Sequence, residues 1–179
     1  MPDAMPRSAT PTNDDPPARA AAALAAPVLA AALDRDRRPL LVGPDGESHQ
    51  WVDAIAGPLG LDILLGEKQR HGDRDVDIAI AGIERAAGRN VVLVDDVISS
   101  GETLIAAAGL LFDAGASAVE ALATHCLADA ASLARIEAAG IAPVRSTETV
   151  AGPTASLPVA ALIAEAVRGE GWAQPEAPA

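Results

Sequence analysis

The stretch from Val91 to Thr103, Val-Val-Leu-Val-Asp-Asp-Val-Ile-Ser-Ser-Gly-Glu-Thr, constrains the fold of this chain more than any other. Its first four residues are apolar and mostly β-branched, which fits a strand covered on both faces, as in a parallel sheet flanked by helices. Asp95 and Asp96 then stand at the strand's carboxyl end, where open α/β sheets have their ligand crevice. Ser99, Ser100, Gly101, Glu102 and Thr103 follow and open an apolar helix, Leu104 to Phe112, whose first-turn amides have no partner inside the helix. Free amides, hydroxyls and the positive end of the helix dipole make such a start an anion site, and Gly101 lets the backbone approach the anion closely. Two carboxylates beside a bound phosphate suit sugar hydroxyls, directly or through a divalent cation with oxygen ligands. A strand end followed by a helix capped by Ser100 or Thr103 accounts for each residue singly but not for the ordered set.

The remaining sequence alternates strand and helix patterns around this unit. Residues 1–17, rich in Pro, Asp, Ser and Thr, read as a disordered tail. A single domain follows over 18–170, with a flexible C-terminus over 171–179. The domain opens on an alanine-rich helix, Ala18 to Asp34, that Pro27 must kink or divide. Leu40 to Gly43 reads as a buried strand, and Glu47 to Ala56 as a helix with Trp51, Val52 and Ile55 at helical spacing, ended by Gly57-Pro58. Next come a strand Leu61 to Leu65, a polar loop Gly66 to Asp75 and a short strand Val76 to Ile80. Beyond the central unit, Ala118 to Thr124 reads as a strand, Ala130 to Ala139 as a helix, Ala142 to Ser146 as a last strand and Leu157 to Val167 as a closing helix. This spacing predicts an α/β fold: a doubly wound, mainly parallel sheet with helices on both faces and right-handed crossovers.

Composition narrows the function classes. A chain of 179 residues, 50% hydrophobic, has material for one domain with a real core. A net charge of −12 and only three aromatic residues, two Trp and one Phe, argue against a nucleic-acid surface. The single cysteine, Cys126, has no internal partner, and there is no CxxC pair, which suits a reducing cytoplasm. The longest apolar segment, Ala20 to Leu33, contains Pro27 and is too short to span a bilayer, and the N-terminus lacks the pattern of a signal peptide. No glycine-rich loop ends in Gly-Lys-Ser or Gly-Lys-Thr, so a P-loop nucleotide hydrolase is not expected.

Three further motifs carry chemistry. Gly43-Pro44-Asp45-Gly46-Glu47-Ser48 follows a buried strand and opens a helix, offering small residues, amides and a carboxylate that can hold a diphosphate with its metal. By itself it also reads as a common Pro-Asp-Gly turn with Asp45 as a helix cap. Glu67-Lys68-Gln69-Arg70-His71-Gly72-Asp73-Arg74 gathers basic side chains after a strand, either as a solvated loop or as cations carried over a transferring phosphoryl group, with Gly66 and Gly72 permitting the movement. Thr124-His125 ends another strand at the carboxyl edge, where the histidine is either bonded to nearby backbone or part of the site.

The Asp95–Thr103 order closely resembles the ribose-5-phosphate signature of type I phosphoribosyltransferases and of the ribose-phosphate pyrophosphokinases. In the pyrophosphokinases the Gly43–Trp51 loop has a similar Pro-Asp counterpart on the diphosphate side of the product. The Lys-x-Arg of Lys68 and Arg70, followed by Gly-Asp-Arg, resembles their flexible catalytic loop, and a Thr-His pair occurs at the strand end matching Thr124-His125. The resemblance spans about residues 38 to 168, in family order, and covers only the family's C-terminal half. It implies Lys68 and Arg70 as catalytic residues and Asp95, Asp96, Ser99, Ser100, Gly101, Glu102 and Thr103 as the ribose 5-phosphate site. It further implies Asp45, Gly46, Glu47 and Ser48 on the diphosphate, Mg²⁺ held by Asp45, Asp95 and Asp96, and Arg74 and His125 near the site. Ser146 to Thr154 resembles a family segment but departs from its polar Pro-His-Pro stretch and is given no functional role.

The resemblance implies transfer of the β,γ-diphosphate of ATP to ribose 5-phosphate, giving phosphoribosyl pyrophosphate and AMP. In that family the N-terminal half contributes much of the ATP site, and that half is not expected in this chain. Ligands are then ribose 5-phosphate, phosphoribosyl pyrophosphate and, in a complete enzyme, ATP. No nucleic acid or membrane partner is expected, and the assembly is a homo-oligomer or a pairing with an ATP-binding chain. Two alternatives stand beside it. One is a stand-alone phosphoribosyltransferase, which the length favours although no acceptor-binding hood is recognisable. The other is a non-catalytic phosphoribosyl-binding regulatory subunit or a truncated gene product.

Overall fold

A computed structural model of the chain describes residues 25–70 and 76–169. Residues 25–31 form helix α1, and strand β1 (Leu40–Gly43) follows a short 3-10 turn. A second 3-10 turn at Gly46–Ser48 runs into α2 (His49–Ala56). Strands β2 (Ile63–Arg70) and β3 (Val76–Ile80) come next, then β4 (Asn90–Ile98), α3 (Glu102–Asp113), β5 (Ala118–Cys126) and α4 (Ala130–Ala138). The described chain closes with β6 (Ile141–Thr147), β7 (Ala155–Leu157) and α5 (Ala160–Gly169).

The strands make one seven-stranded sheet in the order β3-β2-β1-β4-β5-β6-β7. Every neighbouring pair is parallel except β2 and β3, so the expected doubly wound, mainly parallel α/β fold is what the chain adopts. Alternating residues of the central strands feed two separate cores. Leu40, Val42, Val91 and Leu93 pack with Leu104, Ala107, Ala108 and Leu111 of α3 and with Ile136 of α4. Leu41, Val92, Val94 and Leu122 pack on the other face with Leu29, Trp51, Val52 and Ile55 from α1 and α2. Both faces of β1 and β4 are therefore covered, which explains their unbroken apolar runs. Each fully buried Leu or Ile contributes about 2 kcal/mol of apolar transfer, so the two cores fix the register of the strand ends that carry the polar loops.

Two elements differ from the sequence expectation. The segment Gly66 to Arg70 is strand rather than loop: β2 continues past the parallel sheet and pairs antiparallel with β3, Gly66 opposite Ile80 and Arg70 opposite Val76. Its polar side chains hid it, because an arm projecting beyond the core needs no apolar alternation. The closing helix begins at Ala160, and Ala155–Leu157 forms the edge strand β7, whose three residues are too few to carry a periodic signal. No helix among the described residues is long and apolar enough to cross a membrane.

Candidate functional site: the crevice between β1 and β4

From β1 the chain crosses to β2 on one side, while β4 lies on the other. This is the topological switch point of the sheet, and the loops after β1 and β4 diverge there and leave a crevice at the carboxyl edge. The strand β4 extends through the acid pair to Ile98, so Asp95 and Asp96 are its penultimate turn of residues rather than a loop. Both are half-buried, and the Asp96 amide donates to Asp95 Oδ1 at 3.0 Å, which fixes one carboxylate against the backbone. Burial, reinforced by the charges of Asp45 and Asp96, pushes the Asp95 carboxyl up to about 7. The Asp45 charge acts on Asp95 because the turn after β1 lies against the end of β4, fifty residues on in sequence, so the two share one acidic crevice.

The turn after β1 is tightly made. Asp45 Oδ1 accepts from the Ser48 amide at 3.2 Å and from Ser48 Oγ at 2.9 Å, and Ser48 is buried. Gly46 and Glu47 complete the 3-10 turn between them. Gly66 of β2 presses on this turn: a Cβ there would run into the Pro44 carbonyl oxygen. The sequence reading gave Gly66 to loop movement, whereas the structure uses it for close approach of two backbones.

The turn after β4 is built differently. Ser99 and Ser100 are exposed, and Ser100 Oγ is a distant 3.5 Å acceptor for the Glu102 amide. Gly101 is the N-cap of α3 with φ 76°, and no side chain caps the helix. A Cβ on Gly101 would also meet Ile136 of α4 at 2.5 Å, so glycine is required here by conformation and by packing at once. Asp95, Ser99, Ser100, Gly101, Glu102 and Thr103 line a small recess of about 40 Å³ over this helix start. Hydroxyls and first-turn amides facing one recess can hold a phosphate, with the two carboxylates set for neighbouring hydroxyls.

Lys68 and Arg70 lie on the β2 arm, opposite Ile78 and Val76 of β3. Arg74 is outside the described residues. His125 is in β5, opposite Val97 of β4, with its Nδ1 2.6 Å from Thr149 Oγ1. The sequence reading gave Thr149 no role, noting only that Ser146 to Thr154 resembles a family segment. Among the described residues no three His, Cys, Asp or Glu side chains are arranged to hold a metal ion by themselves.

Comparison with known proteins agrees with this fold. The phosphoribosyl transferase domain family matches residues 15–146. A ribose-phosphate pyrophosphokinase from Methanopyrus kandleri is 34% identical over 128 residues, which are 72% of this chain and 44% of that protein. The chain thus spans less than half the length of that relative. A crystal structure of phosphoribosylpyrophosphate synthetase from Mycobacterium smegmatis superposes with a TM-score of 0.66 at 24% identity, over 84% of this chain and 51% of that one. The adenine phosphoribosyltransferase of Giardia lamblia superposes with a TM-score of 0.56 at 19% identity, over 75% of this chain and 80% of the other. These two structural likenesses speak for the fold.

Proposed function

This chain belongs to the phosphoribosyl transferase domain family, and from that premise we propose that it is the ribose 5-phosphate unit of a ribose-phosphate pyrophosphokinase activity. In that reaction the 1-hydroxyl oxygen of ribose 5-phosphate attacks the β-phosphorus of ATP, the bond from that phosphorus to the α,β-bridging oxygen breaks, and AMP leaves as phosphoribosyl pyrophosphate forms. The observation that carries the reading is the junction at the switch point. There the half-buried Asp95–Asp96 pair joins an uncapped helix start on one side and the Asp45 turn on the other.

The roles follow from this arrangement. Amides and hydroxyls of Ser99, Ser100, Gly101, Glu102 and Thr103 hold the 5-phosphate, and Asp95 and Asp96 orient the ribose hydroxyls. The turn of Asp45, Gly46, Glu47 and Ser48 receives the diphosphate. Lys68 and Arg70, on the β2 arm, supply cationic charge to the transferring group, with Arg74 as a further candidate. The oxygen-only acidic donor set of Asp45, Asp95 and Asp96, and the burial and mutual repulsion that raise the Asp95 pKa, suit Mg²⁺, which would neutralise phosphate charge if held there. The rest of the ATP site would lie outside the part that this chain shares with its relatives. A second reading, a stand-alone phosphoribosyltransferase, is favoured by one observation: the likeness to adenine phosphoribosyltransferase covers 80% of that chain.

The test is a coupled assay of the purified chain with Mg²⁺, ATP and ribose 5-phosphate, following AMP and phosphoribosyl pyrophosphate, with Asp96→Asn beside it. We expect ribose 5-phosphate or phosphoribosyl pyrophosphate to bind by calorimetry, with Asp96→Asn weakening binding at least tenfold, about 1.4 kcal/mol or more. Product formation lost in the variant supports the pyrophosphokinase. Binding without product favours the transferase or a regulatory subunit, which a screen of base acceptors separates, and absence of binding overturns the reading.

A further inference from the structure

The carboxyl ends of β5 and β6 carry a knot of hydroxyls that neither the acid pair nor the phosphate loop uses. Thr147 Oγ1 donates to the Thr124 carbonyl at 2.6 Å, and Thr149 Oγ1 lies 3.1 Å from the same oxygen. The two hydroxyls are 2.8 Å apart, and Thr149 Oγ1 is 2.6 Å from Nδ1 of His125. Thr147 is fully buried, Thr149 sits on the exposed turn after β6, and His125 is half-buried at the end of β5.

Counting protons settles which way the histidine contact runs. Three oxygens are in mutual contact, and only the two hydroxyls bring a proton. If both protons stay within the triangle, two of its three edges are hydrogen-bonded. If the Thr149 proton goes to His125 instead, one edge is bonded and two bring lone pairs together. Thr149 therefore accepts, and Nδ1–H of His125 donates. The neutral imidazole is then held as the Nδ1–H tautomer with Nε2 an open acceptor.

Register puts His125 beside the site. Ala123 of β5 is opposite Asp95, and His125 is opposite Val97, so His125 is one strand over and two residues nearer the crevice mouth. Adjacent strands lie only about 4.8 Å apart. We propose that His125 contacts the sugar, its Nε2 accepting from a ribose hydroxyl, and that Thr149, seated on Thr147 and the Thr124 carbonyl, is the positioning residue that sets its tautomer. The contact rests on the phosphoribosyl reading above; the role of Thr149 does not.

The experiment is long-range ¹H–¹⁵N spectroscopy of the full chain at pH 8, with and without ribose 5-phosphate. Its three histidines are distinguished with a His125→Gln variant. Expected are the Nδ1–H tautomer for His125 in the free protein and movement of its Nε2 resonance on adding ribose 5-phosphate. Thr149→Ala should mix the tautomers and weaken ribose 5-phosphate binding about fivefold, as loss of one aligned hydrogen bond would. Thr149→Ser should restore both. An Nε2–H tautomer in the free protein, or a tautomer unchanged by Thr149→Ala, overturns the positioning role. Calorimetric binding that leaves the His125 resonances unmoved overturns the contact while sparing the phosphoribosyl reading. Absence of any binding by the wild-type chain sinks that reading and the contact together, and the free-protein tautomer then still decides for or against Thr149.

Discussion

Two helices begin at the carboxyl edge on the same face of the sheet, and they begin in opposite ways. Helix α4 opens on Asp129, whose carboxylate accepts the Ser132 amide at 2.8 Å. Helix α3 opens on Gly101, in the left-handed region, which has no side chain to cap it, and its first turn has only the long 3.5 Å contact from the Glu102 amide to Ser100 Oγ. Both helices feed the same core, through Ile136 and through Leu104, Ala107, Ala108 and Leu111. Packing therefore does not explain the difference. A helix start that the chain satisfies itself is part of the scaffold, whereas one left largely open and flanked by exposed serines is available to an anion, the role we propose for it.

The comparison can be broken most severely at Gly101. Gly101→Ala would force an L residue into φ 76° and drive its Cβ to 2.5 Å from Ile136, the very side chain by which α4 supports the loop. Left-handed strain and overpacking together should cost about 3 kcal/mol, read by urea denaturation. Ribose 5-phosphate binding should be lost with it, because the amides can no longer keep their aim. A variant as stable as wild type would mean that the loop shifts freely, and that the contrast between the two helix starts is one of sequence only.

The acids beside the two helices sharpen the contrast through pH. Asp95 is pushed up to about 7 from an ordinary 3.8 by burial and by the charges of Asp45 and Asp96. The folded chain therefore keeps a proton that the unfolded chain gives up. The stability this contributes is complete below about 4 and is lost as the pH climbs through about 7. Asp129 has the reverse sign: the Ser132 amide holds its carboxyl below the usual range, so its contribution stands at neutral pH and fades only as the pH falls through that lowered value. Thermal melts from pH 4 to 8 in a chelating buffer should show stability declining toward pH 8, with Asp95→Asn flattening that decline and Asp129→Ala leaving it intact. A decline that survives Asp95→Asn would assign it to another group.

Much of this contrast was legible before any coordinates. The Val91–Val94 run announces a strand buried on both faces because parallel strands lose their alternation, and Ser-Ser-Gly-Glu-Thr announces a helix start, though not that Gly101 rather than Ser100 or Thr103 is its N-cap. Strand β3 was legible over Val76–Ile80, but the Gly66–Arg70 extension of β2 that pairs with it was not, since a polar antiparallel extension carries no core pattern and its charges read as a loop. Gly66 was misread for the same reason: close approach to the Pro44 carbonyl is a tertiary fact with no local trace. Thr149 escaped because its partners, the Thr124 carbonyl and His125, lie on a different strand. Pairings at long sequence separation are what a single chain read in order does not reveal.

The smallest effect tests the scaffold half of the comparison. Asp129 is exposed, and its carboxylate serves the first turn of α4, where its strongest partner is the Ser132 amide. Asp129→Ala should lower the melting temperature by about 3 °C, the usual consequence of losing one helix cap in a domain of this size. Ile136 would still be packed under Gly101, because the cap fixes the first turn of α4 and Ile136 lies beyond it. Ribose 5-phosphate affinity should therefore stay within a factor of about two, well short of the tenfold change that 1.4 kcal/mol would bring. A large loss of affinity in Asp129→Ala would show that α4 is not a passive support. The two helix starts would then have to be treated as one coupled anion site, with the capped helix transmitting its order to the open one through Ile136.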